Sequence, residues 1–295
     1  MSTIGFITMA YGADKYFRQA ETLARSIKRN MPGYKLALVT DRASVSADFD
    51  IVVPMERFDE AGTVHKVDMY AYSPFEETLF IDSDCVVIRP FEAELAAIRR
   101  YDFSPIVGRY LRDGEQDLWL EDVGRAVRGV GGRSFPKFNG GVYFFRKGPA
   151  AEEIFRRSGE LRARATELGI KDFDRSGPGE ETLIGLALSS LGLEDLYFDH
   201  GRLMRTPLNA RGPIVADPIA GVCHFEKEGE RVEPAIIHYC GDWIRHPTYL
   251  IAERALAKGK ALSGIEKLSI AAPYHWSRYA PKVTRRLRRM AGLSA

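Results

Sequence analysis

Short apolar, β-branched runs alternate along this chain with amphipathic stretches, and glycine, proline and acidic residues punctuate them. Thr3 to Met9 reads as an opening strand. From Lys15 to about Arg29, Phe17, Ala20, Leu23, Ala24 and Ile27 recur at helical spacing, and Asp14 is placed to cap that helix. Pro32-Gly33 ends it. Lys35 to Thr40 and Ile51 to Pro54 read as strands, His65 to Tyr72 as a short helix, and Thr78 to Asp82 as a further strand. This β-α-β-β-α-β order predicts an α/β fold: a mostly parallel central sheet, helices on both faces, and ligands beyond the carboxyl ends of the strands.

The second half is less regular. Asp102 to Gly108 and Gly141 to Arg146 read as strands around a Gly/Arg-rich loop, Gly124 to Phe138. Ala150 to Leu168 and Glu180 to Leu191 read as helices. Neither internal repeats nor a low-complexity linker breaks the pattern. The expected organisation is a catalytic domain over residues 1–247 and a helical, basic C-terminal extension over 248–295.

Composition adds four constraints. The 295 residues, 45% of them hydrophobic, can bury a large core. No apolar run approaches the roughly 20 residues that span a bilayer, and the N-terminal stretch lacks a signal-peptide pattern, so a cytoplasmic protein is expected. The three cysteines, Cys85, Cys223 and Cys240, lack zinc-type spacing and read as reduced thiols. The net charge of +2 is unevenly spread. After Glu266 there is no acid, while seven Lys and Arg residues follow, so the body is five charges negative (two minus seven).

Candidate chemistry starts at Phe80-Ile-Asp-Ser-Asp-Cys-Val-Val-Ile88. Asp82 and Asp84 end a β-branched run, and positions two apart on a strand project to one face. Two hard oxygen donors there suit a divalent cation that also grips phosphate oxygens. A turn junction is the plainer reading of Asp82-Ser83-Asp84. A phosphatase of the haloacid dehalogenase type, with the first Asp as nucleophile, is another, weakened because Val86 stands where its Thr is needed. Asn139-Gly140 between β-rich flanks is a common hairpin signal; alternatively, the glycines admit a ligand to the backbone while Asn139 offers its amide to sugar hydroxyls. Glu180 and Glu181 open a helix, where acids ordinarily answer the dipole; one of them facing a sugar is the alternative. His238 ends the apolar run Ile236-Ile237, and as a third ligand beside two carboxylates it suits Mn²⁺ or a related ion. Lys66 reads as a surface lysine, or as a cation for a ligand phosphate or a sugar-binding acid.

Taken in order, these pieces resemble glycosyltransferase family 8, the retaining transferases that include glycogenin and bacterial lipopolysaccharide galactosyltransferases. The resemblance rests on Phe6 to Tyr11 followed by Tyr16, on Lys66, Asp82-Ser83-Asp84, Asn139-Gly140-Gly141, Glu180-Glu181, and His238 with Gly241, and it spans about Ile4 to Trp243. It implies a GT-A, Rossmann-like fold, a UDP-sugar donor and Mn²⁺ (or Mg²⁺). By position, Asp82, Asp84 and His238 would hold the metal against the diphosphate. Thr8, Ala10, Tyr11 and Tyr16 would line the base and ribose pocket, and Lys66, Ser83, Gly241 and Arg245 would complete the donor site. Asn139, Glu180 and Glu181 would face the donor sugar. The family usually has Asp-Gln in place of Glu180-Glu181, and a lysine three residues after the glycine, where this chain has Ile244 and then Arg245. A non-catalytic sugar-nucleotide or glycan-binding protein on the same fold is the alternative reading.

In the tail, Tyr274, Trp276 and Tyr279 precede Pro281 to Met290, where Val283, Leu287 and Met290 would share one helical face and arginines the other. That pattern suits an anionic membrane surface, placing the protein peripherally on the inner face of a membrane, and a glycan or glycolipid acceptor accords with it. The plainer reading is a solvated terminus. Nucleic acid is excluded as a partner by the net acidic body.

Overall fold

The computed structural model of the chain describes residues 4–55, 63–173 and 177–290, with side chains over 4–55, 65–173 and 177–277. Thr3, expected to open the first strand, and the side chains of the tail arginines lie outside the described residues. The chain begins β1 (Ile4–Met9), α1 (Asp14–Asn30), β2 (Lys35–Thr40) and β3 (Ile51–Pro54). A 3-10 turn over Thr63–Asp68 leads into α2 (Met69–Tyr72) and then β4 (Glu77–Ile81). These four strands run parallel in the order β3-β2-β1-β4. The chain thus moves outward from β1 on one side and returns on the other, leaving a crevice at the carboxyl ends of β1 and β4.

β5 (Cys85–Val87), α3 (Glu92–Ile98), β6 (Phe103–Leu111), α4 (Val123–Gly129) and β7 (Phe135–Arg146) follow. β7 lies between β4 and β6 and runs antiparallel to both, which completes a mostly parallel sheet, β3-β2-β1-β4-β7-β6. After α5 (Pro149–Ala163), α6 (Ala165–Leu168) and α7 (Glu180–Ser190) come β8 (Met204–Arg205), β9 (Arg211–Asp217), β10 (Val222–Lys227), β11 (Glu230–Val232) and β12 (Ile236–His238). They form two small sheets among the described residues, β11-β10-β9 and β5-β12-β8. α8 (Pro247–Lys258) and α9 (Gly264–Met290) end the described chain.

Strand alternation sorts the core onto two faces of the main sheet. Phe6, Leu36, Leu79 and Ile81 pack with Leu23, Ala24 and Ile27 of α1. Their neighbours in sequence, Ile7, Ala37 and Phe80, pack on the other face with Phe155 of α5 and Leu183 and Leu186 of α7. Complete burial of each such Leu, Ile or Phe is worth about 1.5–3 kcal/mol, and burial on both faces explains why these strands read as continuous apolar runs. A third cluster joins Val86, Ile237 and Tyr239 to Tyr249, Ala252 and Leu256 of α8. On α9, by contrast, Ile265, Leu268 and Trp276 are 83%, 66% and 76% exposed.

Several sequence expectations need correction. Asp14 is not the cap of α1: Ala13 holds that position, and the Asp14 carboxylate pairs with Arg42. The Gly124 to Phe138 stretch is not a loop. It contains α4, capped by Asp122 accepting from the Arg125 backbone N–H, and the start of β7. The expected helix to Leu168 breaks at Arg164 into α5 and α6. Asn139-Gly140 makes no hairpin, because pairing of β7 with β4 and β6 carries the chain straight through it.

Candidate functional site

β4 stops at Ile81, so Asp82 and Asp84 are not same-face residues of one strand; they flank a tight turn between β4 and β5. The Cys85 backbone N–H donates to the Asp82 carbonyl at 3.0 Å and closes that turn. The Asp82 N–H donates to the Gly141 carbonyl at 2.8 Å, and the Tyr239 N–H to the Asp84 carbonyl at 3.0 Å, so β7 and β12 pin the turn from two sides. β12 pairs antiparallel with β5, setting His238 opposite Cys85. His238 Nε2 lies 2.9 Å from Asp84 Oδ1 and 3.8 Å from Asp82 Oδ2.

Asn139 decides which face of that imidazole the acids meet. Its Oδ1 accepts from the Gly141 N–H at 3.1 Å, and its Nδ2 donates to Glu181 Oε1 at 3.3 Å, which fixes the amide orientation. His238 Nδ1, 2.6 Å from that same Oδ1, must therefore be the protonated nitrogen, since an amide oxygen only accepts. In the neutral ring, Nε2 then turns a lone pair toward the buried Asp84 Oδ1 at 2.9 Å, whereas the protonated ring donates to that oxygen. Lone pair against lone pair is resolved by a proton or by a cation. The donor set fits a divalent ion on that ground.

Lys66 is buried and bridges the two acidic groups, with Nζ 2.5 Å from Asp82 Oδ2 and 3.0 Å from Glu180 Oε1. It is a cross-link between the end of β4 and the start of α7, not a surface lysine. Glu181 Oε1 accepts the Gly140 N–H at 2.7 Å in addition to the Asn139 amide. The glycines of Asn139-Gly140-Gly141 make room for these side chains, whereas the sequence suggested that they admit a ligand. A Cβ at position 140 would lie 2.6 Å from Glu180 Oε1, and one at 141 only 2.4 Å from His238 Nδ1. The amide of Asn139 is engaged by Glu181 and His238, and the residue is half-buried.

Electrostatics split the acids. Burial lifts Asp82, the Asp84 charge adds to the rise, and Lys66 opposes it. Burial would also raise Asp84, but the His238 ring outweighs it and holds that carboxyl low. Burial alone would lower His238, yet Asp84 and then Asp82 bring it above its ordinary value. Burial would lower Lys66 too, and Asp82 and Glu180 drive it well up. Burial, reinforced by Glu180, raises Glu181.

Lys66, Asp82, Asp84, Asn139, Glu180, Glu181 and His238 are thereby one connected group. Ser83 is buried in the same turn, its N–H donating to Asp82 Oδ1 at 3.0 Å. Thr8, Ala10 and Tyr11 gather at the carboxyl end of β1, one strand from Asp82 by the Ile7–Phe80 register. The Thr8 hydroxyl is buried without a hydrogen-bond partner, and Tyr11 packs edge-on to His65 at 5.5 Å. Gly241 opens the turn after β12 with φ +63°. Tyr16 and Arg245 are the more exposed of the expected residues: Tyr16 is 41% exposed on α1, and the Arg245 side chain is 79% exposed and paired with Asp242 at 3.5 Å.

Sequence reasoning passed over Cys85 as a site residue. The donor atoms of Asp84, Cys85 and His238 all lie within 4.8 Å of one another, a tighter group than the expected Asp82, Asp84 and His238, because Lys66 draws Asp82 aside. Adjacency to Asp84 was the available signal. Burial keeps the Cys85 thiol well above its ordinary pKa, hence neutral, and a soft sulfur is a poor partner for Mn²⁺. All three cysteines are free.

Neither a family model nor a curated protein matches the chain. Solved structures do. The galactosyltransferase LgtC, in complex with donor and acceptor sugar analogs, superposes with a TM-score of 0.54 at 17% identity, covering 90% of this chain and 99% of that one. An active-site mutant of LgtC gives 0.53 at 17% identity over 89% and 98% of the two chains. WbbM, a bifunctional glycosyltransferase in apo form, gives 0.51 at 12% identity, covering 92% of this chain and 52% of that one. At such identities the likeness establishes a shared fold, the GT-A architecture expected from the sequence.

Proposed function

We propose that this chain is a metal-dependent, retaining glycosyltransferase that moves a sugar from a UDP-sugar to a glycan or glycolipid acceptor. The observation that carries the reading is the convergence of the buried His238 imidazole on both acids, 2.9 Å from Asp84 Oδ1 and 3.8 Å from Asp82 Oδ2, at the crevice where β1 and β4 end. Asp82, Asp84 and His238 would hold Mn²⁺ or Mg²⁺. When bound, the ion supplies Lewis-acid stabilisation of charge on the leaving diphosphate, worth several kcal/mol. Asn139 holds the imidazole in the tautomer that presents Nε2. Lys66 bridges Asp82 and Glu180, which sets the Glu180 carboxyl group beside the place of a sugar whose transition state is oxocarbenium-like. Thr8, Ala10 and Tyr11 are the residues for the nucleoside.

The test is Mn²⁺-dependent release of UDP from a panel of UDP-sugars, with and without acceptor. Asp84→Asn is expected to abolish turnover and to weaken nucleotide binding only when Mn²⁺ is present. Full activity in that variant would remove the metal-ligand assignment, and UDP release without any metal would remove the metal altogether. A phosphatase reading gains nothing from the site, since Val86 stands where its Thr is needed.

The tail supports a peripheral position on an anionic membrane surface. No described helix is long and apolar enough to cross a membrane, but α9 carries exposed Ile265, Leu268 and Trp276 ahead of an acid-free stretch with seven basic residues after Glu266. Removing residues after Ala271 is expected to release the protein from phosphatidylglycerol vesicles at low salt. Absence of vesicle binding by the intact chain would end this part of the proposal.

A further inference from the structure

Two cations on the far side of β12 from β5 have no carboxylate partner. Lys227, the last residue of β10, is 9% exposed, and its Nζ donates to the main-chain oxygen and the Oγ1 of Thr206, each at 3.0 Å. Arg205 ends β8, and its Nε is buried without a hydrogen-bond acceptor. Gly201 gives that nitrogen its room: a Cβ there would come within 2.0 Å of it. Among the described residues neither cation forms an ion pair. Burial lowers the Lys227 pKa and the Arg205 charge lowers it further, with Glu228 opposing; Lys227 Nζ rests on Thr206, the residue next to Arg205. Buried charge left without a close counter-charge is costly, and here Glu228 acts on Lys227 only from beyond ion-pair distance.

The place of this pair gives it meaning. β8 runs parallel to β12 with Ile236 opposite Met204 and Ile237 opposite Arg205. One residue further on each strand come His238 and Thr206. Adjacent strands lie about 4.8 Å apart, so the anchor of Lys227 is one strand beyond the imidazole, opposite the side occupied by Asp82 and Asp84. Cys240, two residues past His238, is close enough to influence Lys227 electrostatically. The other cations of the region are committed elsewhere: Lys66 to Asp82 and Glu180, and Arg245 to Asp242 in solvent.

We infer that Lys227 and Arg205 form an anion site at the β8 edge of the cleft, taking a phosphate group of a substrate. An ammonium and a guanidinium together suit phosphate oxygens. Two sources share this chemistry, the diphosphate of the donor and a phosphate carried by the acceptor. The inference rests on the transferase reading for the presence of a substrate, but not for the chemistry of the two cations.

The experiment is calorimetric titration of the full chain in Mn²⁺ with UDP, with uridine, and, at saturating UDP, with inorganic phosphate. Lys227→Met, Lys227→Gln and Arg205→Met are compared with the wild type. If the donor diphosphate is the anion, the Lys227 variants bind UDP at least tenfold more weakly while uridine binding is unchanged. If the acceptor carries it, UDP binding is unchanged and the added phosphate no longer binds. Either result supports the site, and variants matching the wild type in every titration overturn it. The glutamine variant keeps a hydrogen-bond donor for Thr206 without the charge. If both Lys227 variants fail to fold by circular dichroism, the ammonium is a structural strut and the inference falls. A wild type that ignores UDP in Mn²⁺ would instead sink the transferase reading, and phosphate titrated alone against the same variants would still decide the anion site.

Discussion

Replacing Gly141 by alanine tests whether His238 owes its position to the space that β7 leaves for it. The added Cβ would sit 2.4 Å from Nδ1, 2.8 Å from Cγ and 2.9 Å from Cε1. Ordinary carbon contacts are about 3.5–4.0 Å, so the ring has to retreat by about 1 Å. It has little room, being 5% exposed and held by Asn139 at 2.6 Å. Overpacking of this kind costs about 1–3 kcal/mol. A metal–imidazole bond of about 2 Å tolerates no such displacement. The expected result is a loss of about 1–3 kcal/mol in urea unfolding, with Mn²⁺ binding weakened more than tenfold, read from the electron paramagnetic resonance of free Mn²⁺. Gly159→Ala is the control. That glycine lies within α5 with nothing within 4 Å of its would-be Cβ, so alanine there should gain about 0.5–1 kcal/mol. A Gly141→Ala protein with native stability and native Mn²⁺ affinity would refute the steric keying of His238 to β7.

Asn139→Ala should leave the His238 ring in place but free its tautomer, lowering Mn²⁺ affinity about 10–100-fold, as loss of a ligand's orienting partner does; unchanged affinity in the same resonance assay would show that Asn139 does not orient the ring. The raised pKa of His238 gives a pH dependence with a definite sign. Its contribution to the stability of the metal-free protein is fully present below the unfolded histidine value of about 6.5 and disappears as pH rises through the higher folded value. Urea midpoints of wild type and His238→Gln should therefore converge with rising pH. Mn²⁺, which competes with the Nε2 proton, should bind more tightly over the same range.

The parallel half of the fold was legible because β1, β2 and β4 are local apolar runs buried on both faces, and α1 carries its core residues at helical spacing. Asp82 and Asp84 were found for a partly mistaken reason: their proximity comes from a turn closed by the Cys85 N–H, not from strand alternation. Asn139-Gly140 has the local signature of a hairpin, and only long-range pairing with β4 and β6 overrides it. The partners of Lys66 are far away in sequence, so its role as a cross-link had no local signal. The stretch holding β8 to β11 went unread, since β8 has two residues and β9 buries none of its side chains completely. Lys227 and Arg205, which sit there, were missed with it.

Because β12 supplies His238 from far downstream in sequence, the acids at the end of β4 stay without their imidazole until β12 has been made and paired with β5. A fragment stopping before Ile236 would keep every strand of the main sheet and lose both the middle strand of the β5-β12-β8 sheet and its histidine. On the proposed function, an ion held by all three side chains would therefore bind only after β12 has paired with β5.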